Sequence, residues 1–402
     1  MKAKTYHIKT FGCQANTADS GTMAGMLDAL GLDQLSVPKF KTEKEELSFI
    51  LKDADLLIIN SCSVRQKSED KVYGIGKVVK EVKNACNRKP FIILAGCMVG
   101  SVTGERQRYE FTQLKKKTPW ADLYMNPLQI HELPLLLKNA RILGDWAESK
   151  LKNLGTGAKD SVSHAFVNIS QGCDNFCSYC VVPYARGREV SRTKEEILKD
   201  IQMLMKKGVT EITLCAQNVN SWGLSVKEKF QIRAGSDQKL PFTLLLKEIH
   251  DMPEIKKIGF LSSNPFDFTL DLVEALALPK IDKYIHIAVQ SGNNDVLHRM
   301  NRRHTIEDFV SLINKIKKVK KDIEIGTDLI VGFPGETREQ FMDTVDLVKK
   351  LNFSVAFISM YSPRKGTVAD RTFADDVPMT EKKFRHDFLT KTWKEAKKKK
   401  RK

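Results

Sequence analysis

No apolar run in this sequence approaches the ~20 residues that a membrane-crossing helix needs. The N-terminal residues MKAKTYHIKTFGC lack the long apolar core of a secretory signal. No membrane association is expected, and the expected location is the cytoplasm. Thiols stay reduced there, so the eight cysteines read as metal ligands or reactive thiols before disulfides. Acidic residues are in deficit: 49 Asp and Glu stand against 66 Lys and Arg, a net charge of +17. That excess suggests an anionic partner, most simply a nucleic acid. Residues 394–402 hold seven Lys or Arg and one Glu, so the rest of the chain still carries +11. With 402 residues, 42% of them hydrophobic, the chain can build two or more domains.

Another absence is more informative. Cys173, Cys177 and Cys180 stand at a C-x3-C-x2-C spacing just after the apolar run Phe166-Val167-Asn168-Ile169, and no fourth Cys or His follows nearby. Structural zinc takes four ligands, often in two pairs. Soft thiolates also hold iron–sulfur clusters, and a [4Fe–4S] cube has four irons. Three cysteines leave one iron open, as a cluster needs if it is to bind and reductively cleave a substrate or cofactor. Structural zinc and free thiols are the plainer alternatives.

The first 145 residues alternate short apolar runs with helical patterns. Tyr6–Phe11, Leu56–Ile59 and Phe91–Ala95 read as strands, 121–124 as a fourth, and Gly21–Leu30 as a helix. This predicts an α/β domain with an open parallel sheet covered on both faces. Cys13, Cys62 and Cys97 each follow the carboxyl end of a strand, the edge where such sheets bind ligands. A lone buried cysteine is more often an inert apolar residue; three at equivalent places point towards a shared site. Cys86, in a polar stretch, reads as a bystander. Lys115-Lys116-Lys117 reads as a solvated face.

Residues 146–162 read as a linker. From residue 163 to about 370, six strands alternate with amphipathic helices: Phe166–Ile169, Glu211–Leu214, Ile258–Leu261, Tyr284–Val289, Ile325–Val331 and Val355–Met360. Six repeats suggest a partial (β/α)6 barrel with its chemistry at the carboxyl strand ends. Polar residues cluster there, among them Gln217 after the second strand, Gln290 after the fourth, and Gly332 and Gly335 after the fifth. Turn chemistry alone explains most such residues; all on one rim, they suit a ligand site. Cys215, inside a strand, reads as core. Residues 371–402 read as a helical stretch followed by a basic tail, either solvated and disordered or an electrostatic aid to RNA binding.

The stretch Cys173–Arg192, CDNFCSYCVVPYARGREVSR, closely resembles the radical S-adenosylmethionine (SAM) methylthiotransferase family. TFGCQAN, NSCSVR and AGCM, which carry Cys13, Cys62 and Cys97, resemble its other motifs. AQNVNSW is similar to the tRNA-modifying branch, although Ala216 replaces a glycine common there. The polar stretch Val37–Glu46 looks like an extra loop between the first two motifs.

The resemblance implies two [4Fe–4S] clusters, one on Cys173, Cys177 and Cys180 that binds SAM, and an auxiliary one on Cys13, Cys62 and Cys97. It implies that Tyr179 packs near the SAM adenine; Gln217 and Gln290 are further cofactor candidates by rim position. The implied substrate is N6-isopentenyladenosine in the tRNA anticodon loop, methylthiolated at C2. An external electron donor and a sulfur source are implied partners. Threonylcarbamoyladenosine or a ribosomal-protein aspartate are alternative targets, and a non-catalytic iron–sulfur RNA-binding protein or a zinc-binding module are alternatives of another class. Family members usually carry a small all-β RNA-binding domain (TRAM) after the barrel, and none is expected here. Arg186, Arg188 and Arg192 could meet phosphates or brace their loop.

Overall fold

The computed structural model describes residues 3–64, 66–86, 89–143 and 163–401. The expected linker, 146–162, lies outside the described residues. The chain packs as two compact units. One comprises residues 1–168 with 181–188 and 199–208; the other comprises 169–180, 189–198 and 209–402.

The first unit is built on a parallel sheet of β1 (Thr5–Phe11), β2 (Asp33–Gln34), β3 (Leu56–Ser61), β4 (Phe91–Gly96) and β5 (Leu123–Met125), in the order β2-β1-β3-β4-β5. Strand alternation splits the apolar runs between two cores. Leu56, Ile58 and Ile93 join Tyr6 and Leu27 on one face; Leu57, Ile59, Ile92 and Leu94 join Val72 and Val79 on the other. All of β3 is buried, which is why its sequence is a continuous apolar run rather than an alternating one. The register aligns Phe11 with Ser61, and Ser61 with Gly96. Three strands therefore end level, each within two residues of a cysteine.

Two local expectations are corrected. Helix α1 runs Gln14–Ala29, starting well before Gly21, because Cys13 and Asn16 form a capping box. The extra stretch 37–46 is only partly loop. Thr42 caps helix α2 (Glu43–Asp53), accepting from Glu45 N–H at 3.2 Å. Helices α3 (Gln66–Cys86) and α4 (Cys97–Thr103) follow β3 and β4. Strand β6 (His164–Asn168) packs with this unit, against α1.

The second unit holds a short antiparallel pair, β7 (Ser170–Gln171) with β8 (Val190–Ser191), and then a run of parallel strands. These are β9 (Glu211–Cys215), β10 (Lys257–Phe260), β11 (Tyr284–His286), β12 (Glu324–Val331) and β13 (Val355–Met360). β9 pairs with β10, β11 with β12, and β12 with β13. Parallel bridges Ile258–Ile281 and Ser263–Ile287 continue the order from β10 to β11. Ile169 N–H donates to Cys215 O at 3.0 Å, which sets the segment leading into the cysteine loop beside β9. The strands thus follow one another in chain order, as a partial (β/α)6 barrel requires.

Of the two readings left open for the basic C-terminal end, the disordered one is corrected: the expected helical stretch continues as one helix over Met379–Arg401. It lies against β13 and the helix Arg338–Leu351. Leu389 is fully buried, Arg385 pairs with Glu336 at 2.8 Å, and Lys382 pairs with Asp375. Among the described residues, no helix is long and apolar enough to cross a membrane.

Candidate cofactor sites: two groups of three cysteines

None of the eight cysteines is joined in a disulfide. In the first unit, Cys13 is the N-cap of α1 and Cys97 opens α4. Cys62 follows β3, and Val64 N–H donates to its sulfur at 3.4 Å. One polar network braces the three strand ends. Asn16 Nδ2 donates to Asn60 Oδ1 and to Ser61 O, each at 3.1 Å. Asn60 Nδ2 returns to Asn16 O at 2.8 Å, and Ser61 Oγ donates to Ala95 O at 2.5 Å. Gly96 has φ 92°, and a Cβ there would overlap Ser61 O, so β4 turns against β3 only with glycine at this point. Arg108 Nη1 donates to Ser63 Oγ at 2.7 Å and fixes the loop beyond Cys62.

Cys97 is buried, and burial pushes its thiol up, opposed by Arg186, which hydrogen-bonds it. Arg186 is itself buried and pairs with Asp19 of α1 at 2.6 Å. The phosphate role considered for Arg186 is therefore corrected: its guanidinium is turned inward. Arg188 is exposed beside Glu105, 3.6 Å away, and Arg192 is partly exposed. Cys86 is exposed and Cys215 buried, in keeping with bystander and core roles.

In the second unit, Cys173, Cys177 and Cys180 share the loop after β7, and the segment 299–302 holds that loop in shape. Ser178 N–H donates to Met300 O at 3.0 Å and Ser178 Oγ to Arg299 O at 2.8 Å. Asn301 Nδ2 donates to Phe176 O at 3.0 Å. Phe176 is left-handed, with φ 48°. Arg302 Nη1 reaches Cys177 Sγ at 3.5 Å and Asn264 Oδ1 at 2.8 Å, and its guanidinium lies 5.0 Å from the Phe266 ring. Burial pushes the Cys173 thiol up, while the Lys229 cation opposes this. Lys229 is buried in an ion pair with Glu189, whose N–H donates to Asp174 Oδ2 at 3.2 Å.

The three cofactor candidates fall around this loop. Tyr179 packs against the apolar cluster of Val296, Met300, Phe333 and Tyr361. Gln217 Oε1 accepts from Gly172 N–H at 2.7 Å, so this side chain braces the cysteine loop. Gln290 has φ 77° and bridges to β12 through its backbone, donating to Asp328 O and accepting from Ile330 N–H, each at 2.9 Å.

Sequence reasoning passed over the supporting residues: Asn16, Asn60, Asp19, Lys229 and Arg302. Asn16 and Asn60 lay within the quoted cysteine motifs and were legible as hydrogen-bonding partners of the strand ends. Arg302 and Lys229 carried no local signal, because their partners are 125 and 40 residues away in sequence.

The donor set fits iron–sulfur clusters. Each group offers three thiols and a buried cation suited to balancing the negative charge that three thiolates bring. Among the described residues, no three Cys, His, Asp or Glu side chains close on one point as a single metal ion needs. Beside the second group, both amide atoms of Asn175 and the Ser263 hydroxyl are buried with no hydrogen-bond partner among the described residues. Such orphaned groups suit a polar ligand at the carboxyl strand ends.

Residues 167–348 match the radical SAM superfamily, and residues 5–125 match a family described as uncharacterized protein family UPF0004. Among curated proteins, a tRNA-2-methylthio-N(6)-dimethylallyladenosine synthase of Caldicellulosiruptor saccharolyticus is 41% identical over 92% of this chain and 73% of its own length. Proteins of the same name from Thermotoga petrophila and Clostridium botulinum are 38% and 37% identical. They cover 96% and 99% of this chain, and it covers 80% and 83% of theirs. Among solved structures, the radical SAM methyltransferase TsrM of Kitasatospora setae, with cobalamin and a [4Fe–4S] cluster bound, superposes with a TM-score of 0.60. It does so at 13% identity, over 92% of this chain and 77% of TsrM, a likeness of fold alone. At this identity over nearly its whole length, the chain belongs to the tRNA-2-methylthio-N(6)-dimethylallyladenosine synthase family of radical SAM proteins.

Proposed function

We propose that this protein is a cytoplasmic tRNA methylthiotransferase that converts N6-isopentenyladenosine in the anticodon loop to its 2-methylthio derivative. Its cofactors are SAM and two [4Fe–4S] clusters, one on Cys173, Cys177 and Cys180 and one on Cys13, Cys62 and Cys97. The observation that carries the reading is the 37–41% identity to curated synthases across 92–99% of the chain. When bound, these cofactors supply the electron from an external donor, the radical that removes hydrogen from adenine C2, and the sulfur and methyl group.

The chain's own residues orient and insulate. Asn301 and Ser178 hold the shape of the cysteine loop, and Arg302 places a cation against Cys177. Tyr179 closes the apolar side of that loop, excluding water where a radical would be quenched. Asn175, Ser263, Gln217 and Gln290 line the approach for SAM. An anticodon-loop base can be splayed out of its stack to be reached by a protein, and the net charge of +17 favours its approach.

The test is to incubate anaerobically reconstituted protein with SAM, dithionite and isopentenylated tRNA, and to digest the tRNA for nucleoside mass spectrometry. Methylthio-isopentenyladenosine and 5′-deoxyadenosine are expected. Product on threonylcarbamoyladenosine instead would reassign the substrate, and absence of 5′-deoxyadenosine would overturn the enzymatic reading.

A further inference from the structure

The segment 181–188 begins directly after Cys180, yet it packs with the first unit. Its single helical turn, Val182–Ala185, lies so close to α4 that a Cβ on Gly100 would overlap Ala185 O. This seats Arg186 near the start of α4, where Cys97 stands. On its other side the guanidinium meets Asp19, six residues beyond Cys13 on α1. Asp19 is oriented by Asn168 of β6, whose Nδ2 donates to Asp19 Oδ1 at 3.1 Å. Both members of the pair are buried, at 3% and 5% exposure. A buried pair of this kind is weak evidence for stability, since desolvation offsets the attraction. Burial lowers the proton affinity of Arg186, but Asp19 and the thiols Cys97 and Cys13 more than offset this, so the guanidinium stays charged.

We propose that Arg186, held by Asp19, is the buried counter-cation of the Cys13–Cys62–Cys97 group and raises the reduction potential of the cluster bound there. Arg186 is a positioning residue in this assignment. The proposal rests on the reading that these three cysteines hold a cluster. One-electron reduction adds one negative charge to a cluster already made anionic by three thiolates. A fixed cation within the low-dielectric interior favours the reduced form. The peptide that delivers this cation is continuous with the Cys173–Cys180 loop, so one stretch of chain serves both cysteine groups.

The experiment uses full-length protein with Cys173, Cys177 and Cys180 changed to Ala, leaving only the first group. Iron and sulfide are counted after anaerobic reconstitution, and the cluster is titrated with dithionite under electron paramagnetic resonance. Arg186→Gln is expected to retain the cluster but to lower its reduction equilibrium constant at least tenfold, about 59 mV for a one-electron couple. Asp19→Asn is expected to shift the potential the opposite way, and Arg186→Lys to stay near the parent. A purely structural clamp would give no such opposed signs. If Arg186→Gln fails to fold, Asp19→Asn and Arg186→Lys still decide the matter: a downward or absent shift in Asp19→Asn overturns the proposal. Cluster retained at unchanged potential in Arg186→Gln overturns it while leaving the cluster reading intact. No iron bound by the parent overturns the cluster reading and the proposal with it.

Discussion

The two cysteine groups are assembled by opposite means. Cys173, Cys177 and Cys180 lie on one loop, and their relative positions follow from the local path of eight residues clamped by Met300, Asn301 and Arg302. Cys13, Cys62 and Cys97 come from three strand ends, and their positions follow from the register of β1, β3 and β4. A loop can be disturbed without unfolding the sheet beneath it. A site made of strand ends is as well placed as the sheet is well formed, and the Asn16–Asn60–Ser61 network ties one to the other. Damage to the first unit should therefore appear in stability and cluster retention together, whereas damage to the second group should stay local.

The largest expected effect separates the two groups by chemistry. Cys177→Ala should lose about half the iron and all SAM cleavage, read as 5′-deoxyadenosine, because three thiolates are the minimum hold on a cube with one open iron. Cys62→Ala should lose a similar share of iron and all methylthio product, yet still cleave SAM. If Cys62→Ala also stopped SAM cleavage, the division of labour between the groups would fail.

The same contrast explains what could be read from the sequence. The loop group was legible at once, since its spacing is its geometry. The strand-end group required the strands first; continuous apolar runs such as Leu56–Ile59 gave those, because β3 is buried on both faces. The start of α1 at Gln14 was missed because its cap is a cysteine, outside the usual Ser, Thr, Asp and Asn signal. For Arg186 the sequence leaves a phosphate role and a bracing role both open, because an arginine in a loop carries no local sign of burial. Only tertiary packing against Gly100 and Asp19 turns it inward. The helical C-terminus beyond Trp393 was obscured by its lysines, one of which, Lys397, bonds the carbonyl of Ser354, distant in sequence.

Two substitutions sharpen the comparison at smaller cost. Gly96→Ala combines a left-handed backbone with a clash against Ser61 O, and should destabilise the protein by on the order of 3 kcal/mol. Denaturant titration should show that loss, and iron should leave the first group selectively. Asn301→Ala removes the bond to Phe176 O at a position with φ 56°, where alanine is disfavoured. The expected loss is about 1–2 kcal/mol, with weakened retention of the second cluster and normal iron on the first. Equal losses from both sites in either variant would erase the distinction drawn here.

The smallest effect concerns the basic C-terminus. The helix Met379–Arg401 runs from one end of the barrel to the other. Arg385 bonds Glu336, past the carboxyl end of β12, whereas Trp393 Nε1 donates to Phe353 O at 2.8 Å and Lys397 Nζ to Ser354 O at 2.6 Å, ahead of β13. Lys394 and Lys398 are exposed at that far end, opposite the rim that carries the cysteine loop. Charges so placed can add long-range attraction for a polyanion but cannot orient the reacting base. Changing both lysines to Gln should leave kcat unchanged and raise the apparent KM for tRNA by less than about tenfold at low salt, with the difference fading as salt rises. A fall in kcat, or a KM effect that persists at high salt, would place this end of the helix in direct contact with the substrate.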